Sequence, residues 1–388
     1  MNVLYILSST DCKGGASKSF LTMIKGLKEK GISITVAIPN KMGLYSELQQ
    51  IGVKTIIIPI RPNIYPPTKN SRDKLLFIPR FVLWQFYIHL STFILKWKLE
   101  NQEIDLIHTN VSIIDIGFRL SKFLRIPHIL HIREYGDKDF DIHYFPSKHI
   151  YIKKFLRSNS YFIAITKDIL KYHNLSEVPS AHVIYNGIYQ SNKQNKEYQK
   201  EKYLLYAGRI EPAKGLDLLL DAYNIYIKKV PEVLKLVIIG KVNDFDYYKK
   251  IYNYINLHDL KDNVVFLGQQ NNIEIFMQKA TAIIIPSRAE GFGRCMTEAM
   301  FNKCLVIGNN TAGTKEQFDN GRNITGEEIG IRYNSNKELS DILIGITKNP
   351  DSYKDYIERA EIAVRKLYST DTHINNIFKL YKNILYKK

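Results

Sequence analysis

Short apolar runs alternate with longer helix-compatible stretches along this chain, and the alternation runs through once, stops, and starts again. The first series places strands at residues 3–7, 33–38, 53–59, 104–109, 127–131, 161–165 and 182–185. Helices fit residues 16–30, 74–100, 112–124 and 147–157. Continuous apolar runs bounded by turns are those of strands covered on both faces, and the helices supply the crossovers that parallel strands need. Right-handed crossovers put helices on both sides of the sheet. Residues 189–202, YQSNKQNKEYQKEK, show no apolar periodicity and read as a linker. Beyond them strands fit 203–207, 234–240, 264–267, 282–286 and 305–308. Helices there fit 215–229, 247–257, 273–278, 293–302, 337–348 and 352–366, with a last helical pattern to about 387. The expected architecture is α/β: two doubly wound, Rossmann-like domains, 1–188 and 203–366, facing a central cleft, followed by a helical segment, 367–388. A length of 388 residues suits two such domains. In open sheets of this kind ligands gather beyond the carboxyl ends of the strands.

The charge narrows the partners. There are 55 Lys+Arg against 38 Asp+Glu, net +17. Residues 1–190 hold 25 basic and 14 acidic groups, and residues 191–388 hold 30 and 24, so the excess is +11 and +6. That favours phosphorylated small molecules or acidic lipid head groups, against a Lys-rich surface that is merely solvated. No nucleic-acid partner is expected, because no zinc-finger spacing, RNP-like motif or strongly basic recognition stretch occurs. Cys12, Cys295 and Cys304 make neither a CxxC pair nor a disulfide framework, which points to a reducing compartment and hence the cytoplasm. The start, MNVLYILSSTD, lacks a basic n-region and reads as a strand, not a signal peptide. Residues 75–97 are the most apolar stretch, but Pro79, Arg80, Gln85, His89 and Lys96 interrupt it, so no transmembrane helix is expected. Rich in Phe, Trp, Tyr, Ile and Leu and ending KWK, residues 75–98 read as a buried helix or as one in peripheral contact with an anionic membrane.

Three loops carry chemistry. The first strand leads to Gly14-Gly15 and then a helix, which exposes backbone amides to a phosphate or an acceptor hydroxyl, or makes a tight turn only. After the strand 203–207, YAGRIEPAKG sets Arg209 and Lys214 five residues apart across a Pro-containing loop. A planar fork and a compact ammonium at one strand end suit a diphosphate, unless both are solvated loop cations. After the strand 282–286, SRAEGFGRCMTEAM puts Glu290 in a Gly-rich loop and Glu298 two turns into the helix that follows. The helix N-terminus favours an anion. A helix carboxylate there can accept ribose hydroxyls, and the loop carboxylate can reach a sugar ring.

These segments resemble glycosyltransferase family 4, of the GT-B fold. VIYNGI (183–188), YAGRIEPAKGLDLLLDAY (206–223), EGFGRCMTEAM (290–300, an E-x7-E motif) and GNNTAGTKE (308–316) occur in the family's order. The resemblance implies that Arg209 and Lys214, with Gly14 and Gly15 lining the cleft, bind the donor diphosphate. It implies that Glu298 holds the ribose and that Glu290, a candidate catalytic residue, contacts the donor sugar. Gly291, Phe292, Gly293 and Arg294 would form the donor loop, with Thr314 and Lys315 near it. It also implies a final helix that crosses back to the N-terminal domain, metal independence, retention of configuration, and no cofactor beyond the nucleotide-sugar substrate. HIREYGD (131–137) resembles the HxRE segment of polysaccharide-assembly members, which makes His131 a candidate catalytic residue and Arg133 and Glu134 candidates on the acceptor side. The alternative is a loop ion pair with a part-buried strand-end histidine. Ala312 stands where the family has a glycine, and Cys295 and Met296 stand where β-branched residues are common. Asp137, Asp139 and Asp141 form DxD patterns that bind metal in another transferase fold; here they read as an acidic loop. The expected activity is transfer of a hexose-type sugar from a UDP-sugar to a glycan or lipid-linked acceptor in cell-surface polysaccharide synthesis. The alternatives are an epimerase or hydrolase of the same shape, or a non-catalytic sugar-nucleotide-binding subunit. A dinucleotide dehydrogenase is not expected, because no GxGxxG follows the first strand.

Overall fold

The computed structural model describes residues 1–11, 14–68, 70–189 and 198–386, apart from the side chain of Asp139. Cys12, most of the stretch 189–202 and the last helical residue expected, Lys387, lie outside the described residues. The chain divides into two compact units, Met1–Gly187 with Thr370–Lys388, and Ile188–Ser369.

In the first unit the apolar runs form β1 (Asn2–Ile6), β2 (Ser33–Ile38), β3 (Lys54–Ile57), β4 (Leu106–Thr109), β5 (His128–Ile132), β6 (Ser160–Ala164) and β7 (Ala181–Val183). They make one sheet in the order β3-β2-β1-β4-β5-β6-β7. All its pairings are parallel. The order reverses between β1 and β4, which makes the carboxyl ends of those strands a topological switch point. The period of two along a strand sends alternate residues to opposite faces. Val3 and Tyr5 of β1 join one core, and Leu4 and Ile6 the other.

The first of these cores contains the helices Gly15–Glu29 and Thr370–Leu385. Ile374, Ile377, Leu380, Tyr381 and Ile384 form the buried stripe of the C-terminal helix. Burying one such side chain contributes roughly 1.5–3 kcal/mol, so this stripe fastens the chain end to the first sheet, as the cross-back expectation required. The approach is close: a Cβ on Gly26 would lie 2.0 Å from Ile374 Cδ1.

The expected helix 74–100 is two helices, Ser71–Leu75 and Phe77–Lys98, meeting at Leu76. The expected helix 112–124 begins only at Ile116, because the residues before it are engaged elsewhere. Ser112 binds Glu134. Asp115 accepts from Asn63 at 2.9 Å, Arg119 at 3.0 Å and Lys154 at 2.7 Å.

The second unit holds β8 (Tyr203–Ala207), β9 (Lys235–Ile239), β10 (Val264–Gly268), β11 (Ala282–Ile285), β12 (Leu305–Asn309) and β13 (Ile331–Tyr333). The sheet order is β10-β9-β8-β11-β12-β13, again parallel, with its switch point between β8 and β11. The three-residue β13 and the helix Ala312–Thr325 had no expectation from the sequence.

Candidate functional site

The candidate donor residues converge on the switch point of the second sheet. Arg209 and Lys214 follow the carboxyl end of β8, and Glu290 follows that of β11. Lys214 Nζ lies 2.6 Å from Glu290 Oε1, and both side chains are largely buried. Ser287 Oγ donates to the same carboxylate at 2.9 Å. Arg209 pairs with Glu211 at 2.8 Å. Glu298 pairs with Arg294, one turn earlier on the helix Arg294–Phe301, at 2.9 Å.

These two loops are stapled together. The Arg288 fork grips Asp217 at 2.8 and 2.6 Å, and its Nη1 also donates to Pro212 O at 2.7 Å. Between them Gly215 takes φ +68°, and a Cβ there would sit 2.1 Å from Pro286 O, so only glycine lets the β8 loop lie this close to the end of β11.

The Gly-rich loop 290–293 is held from a third side. Gly313 N donates to Glu290 O at 2.9 Å. The Gln317 amide donates to Phe292 O and, at 3.2 Å, to Gly293 O. Thr314 is fully buried, and Lys315 faces outward to Asp319 at 2.5 Å. Cys295 and Cys304 are free, and burial pushes both thiols up, so neither is an activated nucleophile.

The first unit holds the other candidates. Gly14 caps the helix Gly15–Glu29 just beyond β1, with extended backbone and no crowding at its Cα. His131, Arg133 and Glu134 are all buried at the end of β5. Glu134 is turned into the framework: its Oε1 accepts from Ser112 N at 2.8 Å and Ser112 Oγ at 2.6 Å. The Arg133 guanidinium donates to Asn110 Oδ1 and Asn186 Oδ1, both at 2.9 Å, which holds it among the ends of β4, β5 and β7.

Arg133 Nη2 also reaches His131 Nδ1 at 3.4 Å. A guanidinium only donates, so Nδ1 accepts. His108 Nε2, 3.0 Å from the same atom, must then carry a proton and donate. Its Nδ1 therefore accepts from the Tyr381 hydroxyl at 2.5 Å, and Tyr381 accepts from Tyr5 at 2.5 Å. Burial, then the Arg133 cation, holds both imidazoles well below the usual 6.5, so both are neutral. His131 thus keeps its proton on Nε2, a buried donor with no partner among the described residues.

Asp137 accepts from the Tyr172 hydroxyl and lies 3.9 Å from Lys148. Asp141 lies 3.5 Å from His143. Among the described residues no three His, Cys, Asp or Glu side chains gather as metal ligands.

Sequence reasoning singled out the cations and carboxylates and missed their holders: Ser287, Arg288, Gln317, Asn110, His108 and Tyr381. Asn186 did lie inside the quoted VIYNGI stretch. Ser287 and Arg288 lay inside SRAEGFGRCMTEAM, Ser287 acting on Glu290 three residues on; nothing local marks Gln317, Asn110, His108 and Tyr381, because each acts on a residue far away in sequence.

Two family descriptions tile the chain: Glycosyltransferase Family 4 matches residues 13–191, and Glycosyl transferases group 1 matches residues 189–362. An uncharacterized glycosyltransferase of Methanocaldococcus jannaschii is 29% identical over 295 residues, 74% of this chain and 77% of that protein. A poly(glycerol-phosphate) alpha-glucosyltransferase of Bacillus subtilis is 32% identical over 178 residues, 45% of this chain but 25% of that protein. Several other curated relatives are matched over about half of their length. Among solved structures, Anabaena Alr3699/HepE in complex with UDP superposes with a TM-score of 0.79 at 18% identity, covering 99% of this chain and 100% of that one. It shares the arrangement of two parallel-sheet domains.

Proposed function

The chain is a glycosyltransferase of the family 4 type with the GT-B fold, and we propose that it moves a hexose-type sugar from a UDP-sugar to a glycan or lipid-linked glycan acceptor, with retention of configuration. The observation that carries the donor half is the Lys214–Glu290 pair at the β8/β11 switch point, with Arg209 and Glu298 on the flanking elements. A cation already held against a carboxylate can serve phosphate and sugar from one place. UDP is favoured because Alr3699/HepE was solved with it. A polymeric acceptor is favoured by the poly(glycerol-phosphate) relative.

In this reading the leaving nucleoside diphosphate gathers negative charge, and Arg209 and Lys214 stabilise it, as a metal would otherwise do. Glu298 takes the ribose hydroxyls and Glu290 the hydroxyls of the donor sugar. The acceptor attacks from the leaving-group face, and its proton passes to the departing phosphate. His131 is neutral with Nδ1 occupied, so it can give a hydrogen bond from Nε2 but cannot take the acceptor's proton through Nδ1. Work in the cytoplasm, at the inner face of the cytoplasmic membrane, fits a lipid-linked acceptor.

The test is thermal protection by UDP-, GDP-, ADP- and CMP-sugars, in the wild type and in Glu298→Ala. A ligand that binds only the folded state at 100 times its Kd stabilises by about 2.7 kcal/mol. The expected result is a rise with UDP-sugars alone, lost in the variant. A rise with another base would replace the donor, and a rise that survives in Glu298→Ala would remove the ribose role.

A further inference from the structure

The helix Phe77–Lys98 has no polar side. Its inner face, Ile88, Ser91, Thr92 and Leu95, is buried on the first sheet. Lys98 Nζ donates to Ile57 O at 3.1 Å, and Ser91 Oγ bonds Pro59 O, so the helix is fixed and not loosely attached. The opposite face should then be polar. Instead Ile78, Val82, Phe86, Phe93 and Trp97 are 71, 61, 59, 70 and 68% exposed. Their spacing of four and seven residues puts them on one stripe. Phe123, 63% exposed, extends the patch beside it, with Lys96 Nζ 5.2 Å from its ring centre.

The charge around the stripe is mainly basic, with Glu100 and Glu103, just beyond the helix, the exposed acids at its end. The helix contains no Asp or Glu. Lys96 and Lys98 lie at its end, Arg72 and Lys74 just before it, and Lys122 and Arg125 near Phe123, all exposed. Asp73, the one acid before the helix, is already taken by Arg80 at 2.6 Å. Two copies of this face would set lysines against lysines, whereas a surface of anionic head groups over an apolar interior complements both the stripe and its rim. No helix among the described residues is long and apolar enough to cross a membrane. At 22 residues, this one reaches about 33 Å lying flat.

We propose that the outward stripe of Phe77–Lys98, with Phe123 beside it, docks the protein in the plane of an anionic lipid bilayer, the rings entering the acyl boundary and the lysines meeting the head groups. The proposal does not depend on the donor reading, since it uses no residue of the second unit.

The test is co-sedimentation of the full chain with phosphatidylcholine vesicles, with and without phosphatidylglycerol. Binding to the anionic vesicles alone is expected, weakened by salt. Phe86→Ser/Phe93→Ser changes only exposed rings and should weaken binding by about tenfold or more while keeping its folding midpoint. In a Trp84→Phe background Trp97 is the remaining tryptophan, and its emission should shift to the blue on binding and be quenched by brominated lipid. Three outcomes would overturn the proposal: wild type left in the supernatant with both vesicle types, equal binding to neutral and anionic vesicles, or a wild-type dimer in ultracentrifugation that the double variant dissolves. The last would assign the face to a second copy of the chain.

Discussion

Tyr381 stands nearly at the chain end, yet its hydroxyl sets the proton positions along a buried line that runs through His108 to His131. Replacing it with phenylalanine removes one oxygen and keeps the ring. Tyr5 Oη then loses its acceptor and His108 Nδ1 its donor, both in a dry core. A buried polar group left without its partner costs about 1–3 kcal/mol, so Tyr381→Phe should lower stability by at least that much in denaturant unfolding. Tyr5→Phe, which strands only one group, should cost less. Equal costs would mean that the two hydroxyls do not act in series. Of this line only His131 was singled out in the sequence, where Tyr5, His108 and Tyr381 are separate residues in apolar runs. Arg209, Lys214 and Glu290 stood out because each is a charge in a loop that follows a strand, and Glu298 because it lies eight residues after Glu290 in the E-x7-E pattern.

Elements were legible where their buried faces are apolar. Every strand expected in 3–185 is present, because runs such as HILHI and SYFIA are buried on both sides and leave no other reading. The helix Ala312–Thr325 was invisible for the opposite reason. Its buried face is Gly313, Thr314, Gln317, Phe318, Asn320 and Gly321, small and polar residues around a single Phe that give no apolar period. Those same residues let it press on the Gly-rich loop 290–293 through Gly313 and Gln317. Its first residue, Ala312, takes φ +49°, a left-handed conformation at the position where the resemblance leads one to expect glycine. An L residue there costs about 1–2 kcal/mol, while glycine's extra chain entropy costs roughly 0.5–1 kcal/mol. Ala312→Gly should therefore raise stability by up to about 1 kcal/mol, a few degrees in Tm for a unit of this size. Ala312→Val, β-branched at the same angle, should lower it. A midpoint that falls with glycine would show that no strain is held there.

The two units should answer acid differently. Five histidines are buried in the first: His108, His128, His131, His173 and His373. Burial lowers all five, to about 3 for His128 and about 4 for His173 and His373, and well below 6.5 for the other two. A histidine whose folded pKa lies below its unfolded value leaves stability intact above about pH 6.5. As the pH falls below that, the unfolded chain takes up protons that the folded unit refuses, and stability drops by up to about 1.4 kcal/mol per pH unit for each group. Five together approach about 7 kcal/mol per unit, against a total of about 5–15 kcal/mol for a typical domain. Asp115 adds to this only at lower pH. Burial alone would raise it, but Lys154 and Arg119 outweigh burial and hold it below its ordinary value, so its contribution is lost as the pH falls below about 4. Ile188–Ser369 contains a single histidine, His258, and no such group of buried imidazoles. Hydrogen exchange corrected for intrinsic rate should therefore show peptides of β4 and β5 losing protection between pH 6.5 and 5, while those of β8 and β11 keep theirs. Loss in both units at one pH would mean that acid acts through charge repulsion across a chain of net +17, and not through these imidazoles.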